Sequence, residues 1–464
     1  MRGANKWAQR EFGEAKLGDD RRTGRLVELA AAFAARPRGV VTQVMTTSAS
    51  REGAFRFVEN DAVSVGAIAA ASHRSTARRC SSKREVLVAV DQSSLALTDR
   101  VGKSGFGRIG PSPDGSRRTA GFQVMTALAI DGGRVTMGVL GQQWWARQAK
   151  GPRLWSADDR PLEDRESGLW RRTIEQAEEA LAAGAPETRA WYQLDRGGDT
   201  ADVLELAVDA GLRLTVRSAH DRRLEDGRHL RRAMKRSPVL GRFSLRVRTG
   251  RGAETRNAHL SVRAARVRLS LTCGGGKHGD KRIVEFGCVH VKETRTAHGT
   301  DALEWWLLTT AECDRFLDAM NVVRSYRLRW CVEDFHRAWK SGVCNIEKSQ
   351  LQSANAFMRW ATIGAAVAAR SERLKNLART EPDRPAIEEL SRDEIDAAIL
   401  LTEGCRHRPG DALTIAQAVG LIADLGGYTG KSSGGPPGVR VIQRGFEDVL
   451  TAARLLQAQR RMKK

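Results

Sequence analysis

No two of the seven cysteines stand at CxxC spacing: Cys80, Cys273, Cys288, Cys313, Cys331, Cys344 and Cys405 are scattered singly. A zinc site therefore has little support, and the odd count fits a reducing compartment better than a disulfide framework. Long apolar runs are also missing. None approaches the roughly 20 residues of a membrane-spanning helix, and the opening "MRGANKWAQREFGEAK" lacks the apolar stretch of a signal peptide. No long basic amphipathic helix stands apart from the fold, which argues against a membrane partner, and there is no internal repeat or sustained heptad. A cytoplasmic location is expected.

Positive charge is abundant. The 464 residues carry a formal net charge of +22, spread through almost every segment and not confined to a tail. Such a balance fits a large polyanion as partner, and nucleic acid is the commonest. The length allows two to four domains, and the hydrophobic content allows a sizeable core.

Residues 1–66 read as helical and basic. In "LGDDRRTGRLVELAAAFAARPRG", Asp19 or Asp20 caps a helix that Pro37 and Gly39 stop. "SASREGAFRFVEND" reads as a second helix opening near Ser48 or Ser50. Arg25 and Arg56 would lie on these helices and are candidate DNA contacts. From about residue 85 the pattern becomes α/β. "VLVAVD" is a buried strand that stops at Asp91, and "RAWYQLDRGGDT" is another that stops at Asp195. Between them, "FQVMTALAIDGGRVTMGVLGQQWW" is a hairpin around Asp131-Gly132-Gly133. Alternating stretches such as "GRFSLRVRTGRG" and "ARVRLSLTCGGG" predict a β-rich insertion over about 221–310 with a basic outer face. The expected division is a helical domain at 1–66, an α/β domain with a mixed sheet at 67–365 and a helical domain at 366–464. Leu421, Ile422 and Leu425 in the last are available for pairing.

The segment "YRLRWCVEDFHRAWKSG" at 326–342, read as one helix, divides by face. At about 100° per residue, Tyr326, Arg329, Glu333, Arg337 and Lys340 form one stripe, with Trp330 beside it. Leu328, Cys331, Val332, Phe335, Ala338 and Trp339 form the opposite, core-facing side. Plain i,i+4 pairing of Arg329 and Arg337 with Glu333 is one reading. A catalytic one needs further acids, and Asp91 and Asp195 supply them at the ends of strands, where open α/β sheets place ligands. Turn chemistry in "DQSS" and "DRGGD" is the alternative there, while Asp199 is expected to cap the next helix. Three carboxylates would suit Mg²⁺ or Mn²⁺. A pair of such ions stabilises the attacking and leaving oxygens of phosphoryl transfer, with water or a DNA 3′ hydroxyl as nucleophile.

With these residues in place the chain resembles the bacterial cut-and-paste DDE transposases, in particular the composite-transposon type that excises DNA through hairpin ends. Tyr326, Arg329, Glu333 and Lys340 match that family's Y-x2-R-x3-E-x6-K signature without a gap, and "VDQSSL" and "LDRGGD" look like its two aspartate strand ends. "LGDDRRTGRL" and "EGAFRF" resemble its end-recognition helices; "QQWWAR", "ESGLW" and "WWLLTT" are also similar. The resemblance implies an RNase H-like core, a metal-binding triad of Asp91, Asp195 and Glu333, and phosphate contacts from Arg329 and Lys340. It implies that Tyr326 positions the strand and that Trp305 stacks on a flipped base, with Trp306 its rival. It also implies a homodimer that synapses transposon ends and joins them to target DNA in the bacterial nucleoid. Arg337 stands where a lysine is familiar, and the C-terminal region with "SSGGPPG" matches least well. A catalytically silent transposase-derived regulator and a metal-dependent nuclease without strand transfer are the alternatives.

Overall fold

The structure, a computed structural model, describes residues 3–98, 105–111, 118–146, 167–248, 255–273, 280–295, 302–430 and 435–462. Glu166 of "ESGLW", Arg147 of "QQWWAR" and part of "SSGGPPG" lie outside the described residues.

The first helices are α1 (Gly3–Phe12), α2 (Asp20–Ala35), α3 (Val41–Val44), α4 (Ser48–Val58) and α5 (Val65–Cys80). Asp19 caps α2 as expected, its carboxylate accepting from the Arg21 N–H at 2.7 Å. The cap of α4 falls just before the serines, where Thr47 and Ser50 form a capping box. Glu11 of α1 is buried and fastens α1 to α5. It accepts from the hydroxyls of Ser72 and Ser75 at 2.6 and 3.0 Å and from Arg79 Nη1 at 2.7 Å.

The α/β part follows as β1 (Glu85–Leu97), β2 (Gly107–Pro111), β3 (Arg118–Ile130), β4 (Thr136–Trp145), α6 (Ser167–Gly184), β5 (Arg189–Leu194), α7 (Ala201–Asp209) and β6 (Arg213–Arg217). The insertion adds α8 (Leu230–Arg236), β7 (Gly241–Arg248), β8 (Thr255–Cys273), β9 (Asp280–Glu293) and β10 (Glu304–Thr309). All ten strands join one mixed sheet in the order β2-β3-β1-β5-β6-β10-β9-β8-β7, with β4 also beside β3. β5 and β6 run parallel to β1, and the other pairings are antiparallel. The β3–β4 hairpin sits where the glycines put it. Asp131 accepts the N–H groups of Gly133 and Val135 at 2.9 and 2.8 Å, and Arg134 takes a φ of +72°. In β7 and β8, Leu245, Val267, Leu269 and Leu271 are buried while Arg242, Arg246, Arg266 and Arg268 are exposed, as the alternation required.

Asp91 is not the end of its strand. β1 runs on to Leu97 because β3 continues to pair with it, Leu97 opposite Ala120. What ends near Asp91 is the other neighbour: β5 pairs last at Leu194, opposite Val90. An aspartate after an apolar run marked the loss of one flanking strand, not of both.

The chain then forms α9 (Phe316–Arg327), a 3-10 turn at Leu328–Trp330 and α10 (Cys331–Lys340). The quoted segment is therefore two helices with a tightened turn between them. The predicted core face survives, with Cys331, Val332, Phe335, Ala338 and Trp339 all buried. They share a core with Leu87 and Ala89 of β1 and with the N-terminal helices, on one face of the sheet. Val86, Val88 and Val90 point to the other face, under α6 and α7. The 27-residue α11 (Ala354–Thr380) passes through position 365 and ends among α12 (Arg392–Leu401), α13 (Ile415–Leu425) and α14 (Val439–Met462). Ile422 is buried in the core of these last helices, with Leu421 and Leu425 packed against it. Ile422 is therefore used within the chain, while Leu421 and Leu425 stay half-buried. Leu400 and Leu401 of α12 and Leu455 and Met462 of α14 are exposed.

His73 of α5 is buried, and burial holds its imidazole down at about 4 against the influence of Glu11. The unfolded chain takes up that proton near pH 6.5. The associated stability is thus fully present above that pH and is lost as pH falls towards 4, by at most about 3 kcal/mol. Urea unfolding midpoints at pH 7 and pH 4.5 should show the drop, and His73→Gln should reduce it. An unchanged drop in the variant would remove His73 from the account.

Candidate active site

Register assembles the site. Val90 of β1 is opposite Leu194 of β5, and Leu194 is opposite Val216 of β6. The next residues along these three parallel strands are Asp91, Asp195 and Arg217, so they form one row across the sheet. Side chains alternate in a strand. Asp91 therefore shares the face of Leu87 and Ala89, which is the face that α10 covers. Beyond β6, Leu307 of β10 is opposite Arg217. Trp305, two residues from Leu307, lies on that same face, and Trp306 lies on the other.

Glu333 comes to the row from above. Its Oε1 accepts from Arg329 Nη2 at 2.8 Å, and Arg329 Nη1 is 3.6 Å from Asp91 Oδ2. Arg329 is 8 % exposed, and its Nε and Nη1 are buried with no hydrogen-bond partner. Each such orphan donor costs about 1–3 kcal/mol. Burial pushes the Asp91 carboxyl up to about 7; Arg329 opposes this, and the charges of Asp195 and Glu333 reinforce it. Asp195 is half-buried, and its Oδ1 accepts the Gly197 N–H at 2.8 Å, so the turn reading of "DRGGD" holds beside the site reading. Lys340 Nζ donates to Ser93 Oγ at 3.2 Å, one step along the same β1 face.

Other expected residues divide. Arg337 is exposed and bonds Asp334 at 3.1 Å, so the expected i,i+4 pair with Glu333 is not made. Tyr326 is buried, 6.3 Å edge-on from Trp305. Trp330 is 58 % exposed with the Arg329 guanidinium 5.5 Å over its ring. Trp305 is half-buried, whereas Trp306 is buried and stacks on His290 at 3.6 Å. Arg25 pairs with Glu28 on α2 and rests against Gly53 of α4, and Arg56 on α4 pairs with Glu52. Asp199 does not cap α7; Thr200 does. Asp199 is buried instead, accepting from the N–H groups of Ala219 and His220 at 2.7 and 3.2 Å and pairing with Arg222. It fixes the start of the insertion beside the second aspartate.

Sequence reasoning missed two groups. Arg217 ends β6 in the row of acids, and burial together with the charge of Arg196 lowers its guanidinium below the usual value. Counting strand ends in register would have found it. His336 is buried with Nδ1 4.0 Å from Asp91 Oδ2, and burial holds it down at about 3. Its position three residues after Glu333 was the available signal.

The oxygen donors of Asp91, Asp195 and Glu333 suit a hard divalent cation in kind. They do not fit one in this arrangement, since among the described residues no three acidic, imidazole or thiol groups are placed to hold a metal. The cation between Asp91 and Glu333 is the guanidinium of Arg329.

Residues 4–63, which hold the N-terminal helices up to α4, match a family model described as transposase DNA-binding. Among solved structures, the chain is similar to the piggyBac transposase in a synaptic complex with hairpin DNA, determined by cryo-electron microscopy. The identity is 9 %, the match covers 82 % of this chain and 77 % of that one, and the TM-score is 0.41. Among the described residues, no helix is long and apolar enough to cross a membrane.

The two tryptophans should separate by stability. Trp306→Ala should cost about 3–5 kcal/mol by emptying a packed site, and Trp305→Ala less than half of that. Chemical denaturation of both variants checks this, and equal losses would contradict the assignment of faces.

Proposed function

We propose that the chain is a DNA transposase that binds transposon ends, cleaves them by metal-dependent phosphoryl transfer through a hairpin and joins them to target DNA. The observation that carries this reading is the strand register that aligns Asp91 with Asp195 under Glu333. The order β4-β3-β1-β5-β6, with only β5 and β6 parallel to β1, supports an RNase H-like core. The match over residues 4–63 supports end binding. Arg25 and Arg56 on adjacent helices are the residues of that module expected on DNA.

In this reading Asp91, Asp195 and Glu333 are the catalytic residues and would hold Mg²⁺ or Mn²⁺ once Arg329 has withdrawn. Ions held there would supply positive charge to the attacking and leaving oxygens. Arg329, Lys340 and Arg217 grip phosphates on either side of the scissile bond, a role suited to guanidinium forks. Trp330 offers an exposed ring at the rim. Trp305, on the face of the acids, receives the base that a tight hairpin must unstack, with Tyr326 behind it. Pairing of two ends calls for a homodimer. A silent regulator would not need the row of acids, and a simple nuclease would not need two ends held together.

Asp91→Asn, Asp195→Asn and Glu333→Gln should each reduce nicking of a plasmid bearing the DNA that flanks the gene by at least about 100-fold. Binding to the same DNA should persist, because removing a carboxylate does not weaken attraction to phosphates. Nicking near the natural level in any one of them would sink the triad. In the same assay, Trp305→Ala should reduce hairpin products more than first nicks, and joined products separate a transposase from a nuclease.

A further inference from the structure

Between the end of α2 and α14 lies a groove whose charges do not balance. Its cavity, about 430 Å³, is lined by Arg38, Arg440 and Arg444 and by Ser341 and Asn345, just beyond α10. Along α14, Arg440, Arg444, Glu447 and Arg454 stand at helical spacing, within an arc of about 80°. Arg38 pairs across the groove with Glu447 at 3.1 Å. Arg440 gives one bond to the Ser341 carbonyl, at 3.2 Å. Arg444 is exposed and, among the described residues, has no acidic partner. Further along, Arg454 faces Arg36, and burial together with that like charge lowers its guanidinium below the usual value. Gln443, buried on the same wall, accepts from Ser371 through Oε1 at 3.2 Å, and its Nε2 has no partner. Elsewhere exposed arginines meet carboxylates, as Arg78 meets Glu14 and Arg282 meets Asp209. Here, among the described residues, five guanidiniums have one paired carboxylate between them, and an exposed pair such as Arg38 with Glu447 contributes little.

We propose that this groove is a phosphate-binding surface for duplex DNA, separate from the row of acids, at which Arg38, Arg440 and Arg444 hold the sugar-phosphate backbone. The proposal rests on the reading of the chain as a protein that acts on DNA. Guanidinium forks with open edges match phosphate oxygens in geometry as well as in charge. The donors are strung out and do not converge on one point. From Arg440 to Arg454 the stripe rises about 21 Å. One free phosphate cannot fill that length, whereas a run of backbone phosphates can. The groove also joins two segments with other reasons to meet DNA. Arg36 and Arg38 lie within the stretch that matches a transposase DNA-binding model, and Ser341 follows Lys340 of α10. The C-terminal helix thereby becomes part of the DNA surface. Glu447 has the opposing role: its carboxylate competes with phosphate for Arg38 and weakens the hold of the groove.

The test is fluorescence anisotropy of a labelled mixed-sequence duplex with the full chain, repeated over a series of NaCl concentrations. The logarithm of affinity falls with the logarithm of salt by about 0.9 for each phosphate contact. Arg440→Gln combined with Arg444→Gln should therefore flatten the slope by about two units and weaken binding several-fold. Arg406→Gln combined with Arg408→Gln, exposed in the loop after α12, removes the same charge and should leave the slope nearly unchanged. Glu447→Gln should act in the opposite sense and tighten binding by about threefold, since it releases Arg38 to phosphate. An unchanged slope in the Arg440 and Arg444 variant, folded by circular dichroism, overturns the proposal. So does equal flattening by the loop variant, because the effect is then one of net charge alone. A Glu447→Gln chain that melts earlier and binds DNA no better overturns it as well, leaving a structural ion pair. Inorganic phosphate at constant ionic strength is the last arm. A rise in melting temperature that Arg444→Gln abolishes, with the DNA slope untouched, assigns the groove to a free phosphate instead. If the natural protein binds no duplex at any salt concentration, the DNA reading itself fails, and the groove with it.

Discussion

Three parallel backbones set the position of everything in the candidate site. Hydrogen bonding fixes Val90, Leu194 and Val216 side by side, and the residues that follow have no freedom to sit elsewhere. Two of them are aspartates and the third is Arg217. A one-residue slip would turn each of these side chains to the opposite face of the sheet. The slip is prevented by burial on both faces: Val86, Val88 and Val90 on one side, Leu87 and Ala89 on the other, are all nearly sealed from water. The chemistry of the row is thus guarded by the hydrophobic core, not by the polar residues in it.

The same alternation distributes tasks between the faces. The face carrying Asp91 receives α10, the N-terminal helices and Trp305, within one continuous core. The face carrying Trp306 receives α6, α7 and α8. Asp199 couples the row to the insertion, because its carboxylate collects the backbone of 219–220 and the Arg222 guanidinium just after β6 ends. The insertion is therefore an extension of the sheet with a fixed start, since β10 pairs directly with β6.

How much of this was legible in the sequence follows from the range of each interaction. Hairpins, caps and the core face of α10 depend on neighbours within a few residues, so "DGG", Asp19 and the apolar side of the 331–339 segment read correctly. The convergence of Asp91, Asp195 and Glu333 was expected from strand ends and family resemblance, though β1 proved to run through Asp91. Pairing choices were less legible. Arg337 has two adjacent acids within reach on its own helix, at i−4 and i−3, and periodicity alone does not say that it meets Asp334. Arg217 was hidden because its significance lies in a register across two other strands. Ile422 looked available for pairing because periodicity shows an apolar face without showing what covers it.

A stable core and an active site make opposite demands on polar groups. Most buried polar atoms in a folded chain find partners. Among the described residues ten buried side-chain atoms lack one, and four of them belong to Gln193, Arg329 and His336. Gln193 lies in β5 on the face of Asp195, His336 lies against Asp91, and Arg329 spans Asp91 and Glu333. Four of these ten unmet atoms thus lie at one place, where the surrounding Val332, Phe335 and Trp339 are packed without gaps to water. Packing of this kind can hold groups in positions that their own interactions would not choose. In the proposed function, the orphan donors of Arg329 would find their acceptors in a DNA phosphate, whose two oxygens match an arginine's fork.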